Sequence, residues 1–309
     1  MTENAMTQGV VMRATGSWYE VLCEGEIYRC RMRGRIRLRG SRSTNPVVVG
    51  DTVDIASEGE DFVIENIHPR RNYVIRRASN LSKESHIIAA NIDRAMLVAS
   101  VAEPVTPPEF LDRFLVTCEA YGIPATLLLA KSDLTAGCRD EVEYMRSVYE
   151  SAGYSVIEIS ALTGEGVDDV QRLAACGTTL VAGNSGVGKS TLIGRLCPSF
   201  EIRTGEISQS HHKGRHTTTF STMYPLPSGG YIIDTPGIKG FGLIDIGDEE
   251  LCRYFPEMMR YAPDCRFFNC THTHEPHCAV REAVERGEIA FSRYESYLKI
   301  LDEDEKYRK

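Results

Sequence analysis

Over residues 1 to about 72, apolar and polar positions alternate with a period of two, and glycine turns break the runs. Gly9-Val10-Val11-Met12, Tyr19-Glu20-Val21-Leu22-Cys23 and Phe62-Val63-Ile64-Glu65-Asn66-Ile67 are examples. Short β-branched strands with turn signals and no strong helical pattern predict a small barrel. An OB-type barrel is the natural candidate; an SH3-like barrel gives a similar pattern. From about residue 92 the alternation gives way to unbroken apolar runs, at Ala95–Ala99, Ala125–Leu129, Ser155–Ile159, Thr179–Ala182 and Tyr231–Ile233. Helical segments separate them; in 109–121, Phe110, Leu111, Phe114, Leu115 and Cys118 have helical spacing. Continuous apolar strands between helices predict a parallel sheet covered on both faces. Residues 73–91 carry no clear period and read as a linker. From about 248 the chain is rich in charge, cysteine and histidine, and it closes in a helix-like run, Ala279 to Lys306. The pattern divides the chain into an all-β barrel (1–72), a linker (73–91), an α/β domain (92–247) and a mainly helical unit (248–309).

Composition narrows this picture. A chain of 309 residues suits two or three domains. The absence of any apolar stretch of about 18 residues argues against a spanning helix. Met1 to Val11 has no basic start followed by an apolar core, so a cytoplasmic protein without a membrane partner is expected. A net charge of −8 argues against a protein that coats nucleic acid over its whole surface, but leaves room for a local basic patch. Of ten cysteines, seven (Cys23, Cys30, Cys118, Cys138, Cys176, Cys197, Cys252) stand singly and read as reduced thiols.

The most specific motif is Gly183-Asn184-Ser185-Gly186-Val187-Gly188-Lys189-Ser190, set between the strand Thr179–Ala182 and a helix that opens at Thr191. That context makes a phosphate loop. Its glycines let backbone N–H groups curl around phosphates at the positive end of a helix. Lys189 would contact the β- and γ-phosphates, the Ser190 hydroxyl would bind Mg²⁺, and Thr191 completes the set. Asp234-Thr235-Pro236-Gly237 ends the strand Tyr231–Ile233. Asp234 would supply a second Mg²⁺ contact and Gly237 an amide that senses the γ-phosphate. Between the two lies Gly214-Arg215-His216-Thr217-Thr218-Thr219. A threonine there can close over Mg²⁺ and release it after hydrolysis; Thr218 is the choice, with Thr217 and Thr219 as alternatives.

Guanine selectivity needs a carboxylate to accept from the base. Ala130-Lys131-Ser132-Asp133 ends the strand Ala125–Leu129, with Asp133 in that role, and Ser160-Ala161-Leu162 ends the next strand as the loop that packs on the base. Both lie at carboxyl ends of sheet strands, where such sheets bind ligands. These base-reading motifs precede the phosphate loop in the chain, the reverse of ordinary GTPases, which is a circular permutation. Ile238 stands where a classical small GTPase has a water-orienting Gln, so hydrolysis should be slow without help. His216 is the candidate for a catalytic contribution, with a structural role as the alternative.

Cys265-x4-Cys270-x-His272-x5-Cys278 offers three thiolates and an imidazole within fourteen residues, which fits one closed, tetrahedral structural zinc per chain. His274 and His277 compete as nitrogen ligands, and Cys252 is a distant spare thiol. In Arg29-Cys30-Arg31-Met32-Arg33-Gly34-Arg35-Ile36-Arg37-Leu38-Arg39, arginine recurs at every second position six times, with no acid in the run. A strand would align these guanidinium groups on one face, and Arg42 adds charge beyond them. Such a stripe is the usual footprint of RNA binding; a solvated edge strand guarded against aggregation is the alternative.

Together with Asn91-Ile92-Asp93 and Leu111-Asp112-Arg113-Phe114, these motifs resemble the circularly permuted, ribosome small-subunit-dependent GTPase A family (RsgA, also called YjeQ) from Val11 to the C-terminal helix. The resemblance implies an OB-fold, a permuted P-loop GTPase domain and a zinc-containing helical domain. It also implies a GTP hydrolase that binds the small (30S) ribosomal subunit and its rRNA late in assembly, is stimulated by it, and leaves after hydrolysis. Partners would be the subunit and GTP or GDP; nothing suggests an obligate dimer, so a monomer is expected. One position departs: the family pattern is Asn-Lys-x-Asp, and Ala130 lacks the carboxamide, which predicts a weaker grip on nucleotide while Asp133 keeps guanine over adenine. Two readings from other classes compete: a metal-delivery NTPase that transfers zinc from the cysteine cluster, and an RNA-binding assembly factor that holds GTP as a structural ligand.

Overall fold

The computed structural model describes residues 6–33, 46–59, 61–77, 85–198, 221–235 and 248–308. Strands β1 (Thr7–Ala14), β2 (Tyr19–Cys23), β3 (Glu26–Met32), β4 (Thr52–Glu58) and β5 (Asp61–Ile67) pair in the order β1-β2-β3-β5-β4, and β4 returns to β1. The sheet therefore closes on itself, with β3 and β5 running parallel and the other pairs antiparallel. That closed five-stranded arrangement is the OB-type barrel. Alternation sends Val11, Val21, Cys30, Val53, Ile55 and Ile64 inward as its core. A register shift between Val11 and Arg13 marks a bulge in β1. Val11 then fills the barrel while its neighbour Met12 is buried in the core of the next domain.

Residues 73–91 differ from the linker expected of them. They hold β6 (Tyr73–Arg77) and β7 (Ser85–Ala90), an antiparallel two-stranded sheet. One face packs Ile75, Ile87 and Ala90 on Val48 with Tyr121 beside them, and the other sends Val74 and Ala89 into the core of the next domain, so neighbouring segments rather than a pattern within the stretch bury it. Gly50 shows how close the approach is: a Cβ there would lie 2.1 Å from the Ala90 carbonyl oxygen, and its φ is +89°.

The central sheet runs β10 (Ser155–Ile159), β9 (Ala125–Ala130), β8 (Arg94–Ala99), β11 (Thr178–Gly183), β13 (Tyr231–Asp234), β12 (Thr222–Pro225). All neighbours are parallel except β12 against β13. β12 also meets β1 of the barrel at Thr222 and Arg13. Successive side chains of these apolar strands enter two different cores. Ala95, Leu97, Leu127, Leu129, Leu180 and Ile233 pack under α1 (Pro108–Ala120) and α2 (Arg139–Ala152). Met96, Val98, Leu128, Val181 and Ile232 pack under α3 (Val167–Ala174) and α4 (Lys189–Leu196). The unbroken runs are thus two interleaved period-two patterns, each buried by its own pair of helices.

The C-terminal run is two helices, Ala279–Glu285 and Phe291–Arg308, rather than the single one its composition suggested. The break falls at Arg286-Gly287-Glu288-Ile289-Ala290, where Gly287 has φ +74° and the Ile289 side chain turns into the core. Phe255, Met258, Val280, Tyr297 and Ile300 build that core together with Val116 from α1. One buried ionic cluster also crosses between the two units. Arg293 of the terminal helix donates from Nη1 to Asp112 Oδ1 of α1 at 2.6 Å and from Nε to Glu257 Oε1 at 2.7 Å. Tyr149 of α2 donates to the same Asp112 oxygen at 2.9 Å, and the guanidinium lies 4.8 Å from the Phe255 ring centroid. Arg293 is 1% and Asp112 0% exposed, so each charge depends on its partners here in place of water.

Candidate functional site: a nucleotide cleft and a Cys/His cluster

The carboxyl ends of β10 and β9, and of β11 and β13, lie along the same side of the sheet with β8 between the two pairs, and every described candidate nucleotide motif sits on them. Gly183 ends β11, and Gly188 (φ +100°) precedes α4, which opens on Lys189 and Ser190. A Cβ at Gly183 would stand 2.6 Å from the Val98 carbonyl oxygen, so only glycine lets the loop leave the sheet there. Lys189 Nζ contacts the Asp234 carboxylate, the end of β13, and the Thr235 carbonyl oxygen. Lys189 is 10% and Asp234 2% exposed. Burial raises the Asp234 carboxyl above its usual range, and the Lys189 ammonium pulls it back. The loop's lysine and the aspartate that ends β13 therefore meet at one buried point.

At the other end of the cleft, Lys131 adopts a left-handed conformation (φ +66°) that lets the chain turn at the end of β9. Asp133 follows in a single 3-10 turn, and its Oδ1 accepts from the Ser160 hydroxyl at 2.5 Å. Ser160 is wholly buried, and Ser132 donates to Glu165 at 2.7 Å. The two short segments Ala130–Asp133 and Ser160–Leu162, expected from the sequence to read the base, are thus hydrogen-bonded to each other. Lys131 Nζ donates to the Glu103 carbonyl, and Pro104 lies 3.4 Å from where a Gly186 Cβ would be, so the 103–104 loop links the lysine to the phosphate loop. Ala130 is buried and offers no polar group. Sequence reasoning missed Arg195 of α4, which donates to the carbonyls of Ala161 and Leu162; a lone arginine in a last helical turn carries no signal of such a contact. His216, Thr217, Thr218, Thr219, Gly237 and Ile238 lie outside the described residues.

Cys265, Cys270, His272 and Cys278 converge, with their ligand atoms all within 4.8 Å of one another. Cys265 Sγ stands 3.9 Å from Cys278 Sγ and 3.6 Å from His272 Nδ1, and that nitrogen is 3.4 Å from Cys278 Sγ. A tetrahedron with metal–sulfur bonds of about 2.3 Å has edges of about 3.8 Å. The donor set and its spacing fit zinc, with His272 ligating through Nδ1. His272 reaches in from a left-handed conformation (φ +58°), and burial lowers its pKa, which keeps the imidazole neutral. Neither His274 nor His277 belongs to the cluster. The surroundings close the site: Tyr294 and Tyr297 donate to the carbonyls of His272 and Thr271 at 2.7 and 2.8 Å. Burial opposes the ionisation of Glu275, but bonds from the Thr271 hydroxyl and the Thr271 and Thr273 amides bring its pKa down to about 2. A cluster held this way does not suit rapid release of metal.

On the barrel, Arg29, Arg31 and Arg33 are exposed and Cys30 is buried, as alternation requires. Arg35, Arg37, Arg39 and Arg42 lie outside the described residues. No acid interrupts the run in sequence, but acids meet it in space. Arg33 bonds Glu58 and Glu65, both at 2.5 Å, and Arg31 lies 3.7 Å from Asp61. These acids come from β4 and β5, adjacent in space but not in sequence. Arg29 and Arg31 instead flank Trp18, with guanidinium carbons 4.0 and 4.1 Å from its ring centroid, a cation–π contact.

Comparison with known proteins follows the same lines. Residues 67–244 match the model of the RsgA GTPase family and residues 8–62 that of the RsgA N-terminal domain. A Porphyromonas gingivalis protein named small ribosomal subunit biogenesis GTPase RsgA is 53% identical over 310 residues, covering 97% of this chain and 98% of that one. A Bacteroides fragilis protein of the same name is 52% identical, covering 97% and 99%. The crystal structure of YjeQ from Thermotoga maritima superposes with a TM-score of 0.76 at 32% identity, over 97% of this chain and 98% of that one. YloQ, described as a circularly permuted GTPase, gives 0.73 at 28% identity, over 100% and 98%.

Proposed function

This chain belongs to the RsgA GTPase family and is a GTP hydrolase, and we propose from that premise that its turnover serves biogenesis of the small ribosomal subunit. The observation that carries the reading is the convergence of Lys189, Asp234 and the Asp133–Ser160 pair at one edge of a parallel sheet. The phosphate loop 183–190 with Thr191 holds the phosphates, Ala130–Asp133 and Ser160–Leu162 hold guanine, and Ser190, Asp234 and Thr218 take Mg²⁺. The ion would neutralise charge that develops on the phosphates during cleavage. Lys189 exchanges its bond with Asp234 for the β- and γ-phosphates, and Gly237 with the 214–219 loop reads the γ-phosphate. His216 adds to the chemistry where Ile238 cannot.

The partner is the small subunit's rRNA, met by Arg33 and by Arg29 and Arg31 against Trp18 on the barrel, with Arg35, Arg37 and Arg39 continuing the row in the sequence. Cys265, Cys270, His272 and Cys278 hold one structural zinc. The chain works as a cytoplasmic monomer, divided into a barrel (1–72), a connecting hairpin (73–91), a GTPase domain (92–247) and a zinc unit (248–309). GTP binding favours the subunit and hydrolysis releases the protein. The test is GTP turnover with and without purified small subunits. Strong stimulation is expected; subunit binding with unchanged turnover would make GTP a structural ligand, and zinc transfer to an apo-protein without stimulation would favour metal delivery.

A further inference from the structure

The base loop and the phosphate loop stand on different strands, so their separation must match the length of a bound nucleotide. Helix α4 spans both. It begins at Lys189 beneath the phosphate loop, and six residues on, about 9 Å along its axis, Arg195 Nη1 donates to Ala161 O at 2.8 Å and Leu162 O at 3.1 Å. The loop packs closely on this guanidinium: a Cβ on Gly164, whose φ is +98°, would lie 3.2 Å from Arg195 Nη1. At its other end the loop is fixed by Ser160, whose amide donates to the Glu165 carbonyl at 2.9 Å and whose carbonyl accepts from the Gly164 amide at 2.8 Å. In its middle the Thr163 amide donates to the Ser160 hydroxyl oxygen at 3.1 Å, a bond within the loop itself, and the Leu162 side chain is 75% exposed, so the Arg195 bonds tie Ala161 and Leu162 to the helix from outside the loop. Ala130, at the end of β9, contributes only a methyl group.

We propose that Arg195 is a positioning residue that sets the base-reading loop at a fixed distance from the phosphate loop. The inference rests on the guanine-nucleotide reading above and deepens it. One rigid helix carries a phosphate-binding terminus and the clamp on the base loop, so both ends of the cleft are registered before the nucleotide arrives. Such preorganisation raises affinity by lowering the ordering cost of binding.

The test compares ligands that use both ends of the cleft with one that uses a single end, on the full chain with Mg²⁺. Arg195→Gln removes the charge and the fork. It should weaken GDP binding by about fivefold to tenfold, roughly the worth of one net hydrogen bond, and narrow the preference for GDP over ADP. Competition by inorganic tripolyphosphate, which engages only the phosphate loop, should not change. Arg195→Lys, which keeps a cationic donor, should recover part of the loss. Equal losses for GDP and tripolyphosphate would mean that Arg195 acts by supporting the helix, and unchanged GDP binding would mean that it does not act; either overturns the proposal. Arg195→Met, which keeps the aliphatic stem and removes every donor, should give the same ligand-selective loss, so a poorly folding glutamine variant does not shield the idea. A wild-type protein with no preference for GDP over ADP would instead overturn the guanine reading, and the proposal with it.

Discussion

Replacing Arg293 with methionine removes one cation from a site that encloses two carboxylates. The chain segment fits the space, since methionine is flexible and of comparable length, so packing is largely kept. What changes is the charge balance. Asp112 is fully buried and Glu257 is 3% exposed, and neither can recover water without opening the seam between α1 and the terminal helix. Breaking a buried ion pair from one side costs about 3–5 kcal/mol. At about 2–4 °C per kcal/mol for units of this size, melting should fall on the order of 10 °C at pH 8. The pH dependence identifies the cause. Burial pushes the Asp112 carboxyl upward, and Arg293, with hydrogen bonds to the carboxylate, opposes this. Without Arg293, burial acts with less opposition, so the folded state takes up a proton at higher pH than the unfolded chain does. A folded-state carboxyl raised in this way makes stability fall as pH rises through the interval between the two pKa values. The deficit of Arg293→Met relative to wild type should therefore shrink when melting by circular dichroism is repeated near pH 5. An equal deficit at both pH values would show that the lost contacts with Phe255, Tyr149 and Tyr154 matter rather than the charge, and no deficit would refute the reasoning altogether.

Four further outcomes are expected. Purified protein should carry about one zinc per chain, and Cys270→Ser should lose it and melt earlier; metal-free protein with unchanged melting would contradict the site. Asp133→Ala should abolish the preference for GTP over ATP in a binding titration, since the Ser160 hydroxyl then has no carboxylate to orient. Replacing His216 should lower turnover and spare GTP binding, and unchanged turnover would remove its role. Arg33→Ala with Arg35→Ala should reduce the salt dependence of RNA binding, and because Arg33 is already offset by Glu58 and Glu65, Arg33→Ala alone should change it little.

Local chemistry was legible in the residues themselves. The phosphate loop, the two base-reading motifs and the Cys265–Cys278 spacing each lie within a short stretch, where chain connectivity alone limits what the side chains can reach. Period-two alternation correctly put Cys30 inside and Arg29, Arg31 and Arg33 outside. The same periodicity says which face a residue occupies and nothing about its neighbours across the sheet, so the acids that meet Arg33 and Arg31 were invisible. The strands at 73–90 were missed because the surfaces that bury them belong to the barrel's loop and to the core of the next domain. Asp112 and Arg293 are 181 residues apart, and Arg195 is 34 from Ala161; neither pairing leaves a local pattern. Tertiary structure decided these because a charge or donor is stabilised by whatever the fold brings within about 3 Å, and the order of residues along the chain does not encode that distance.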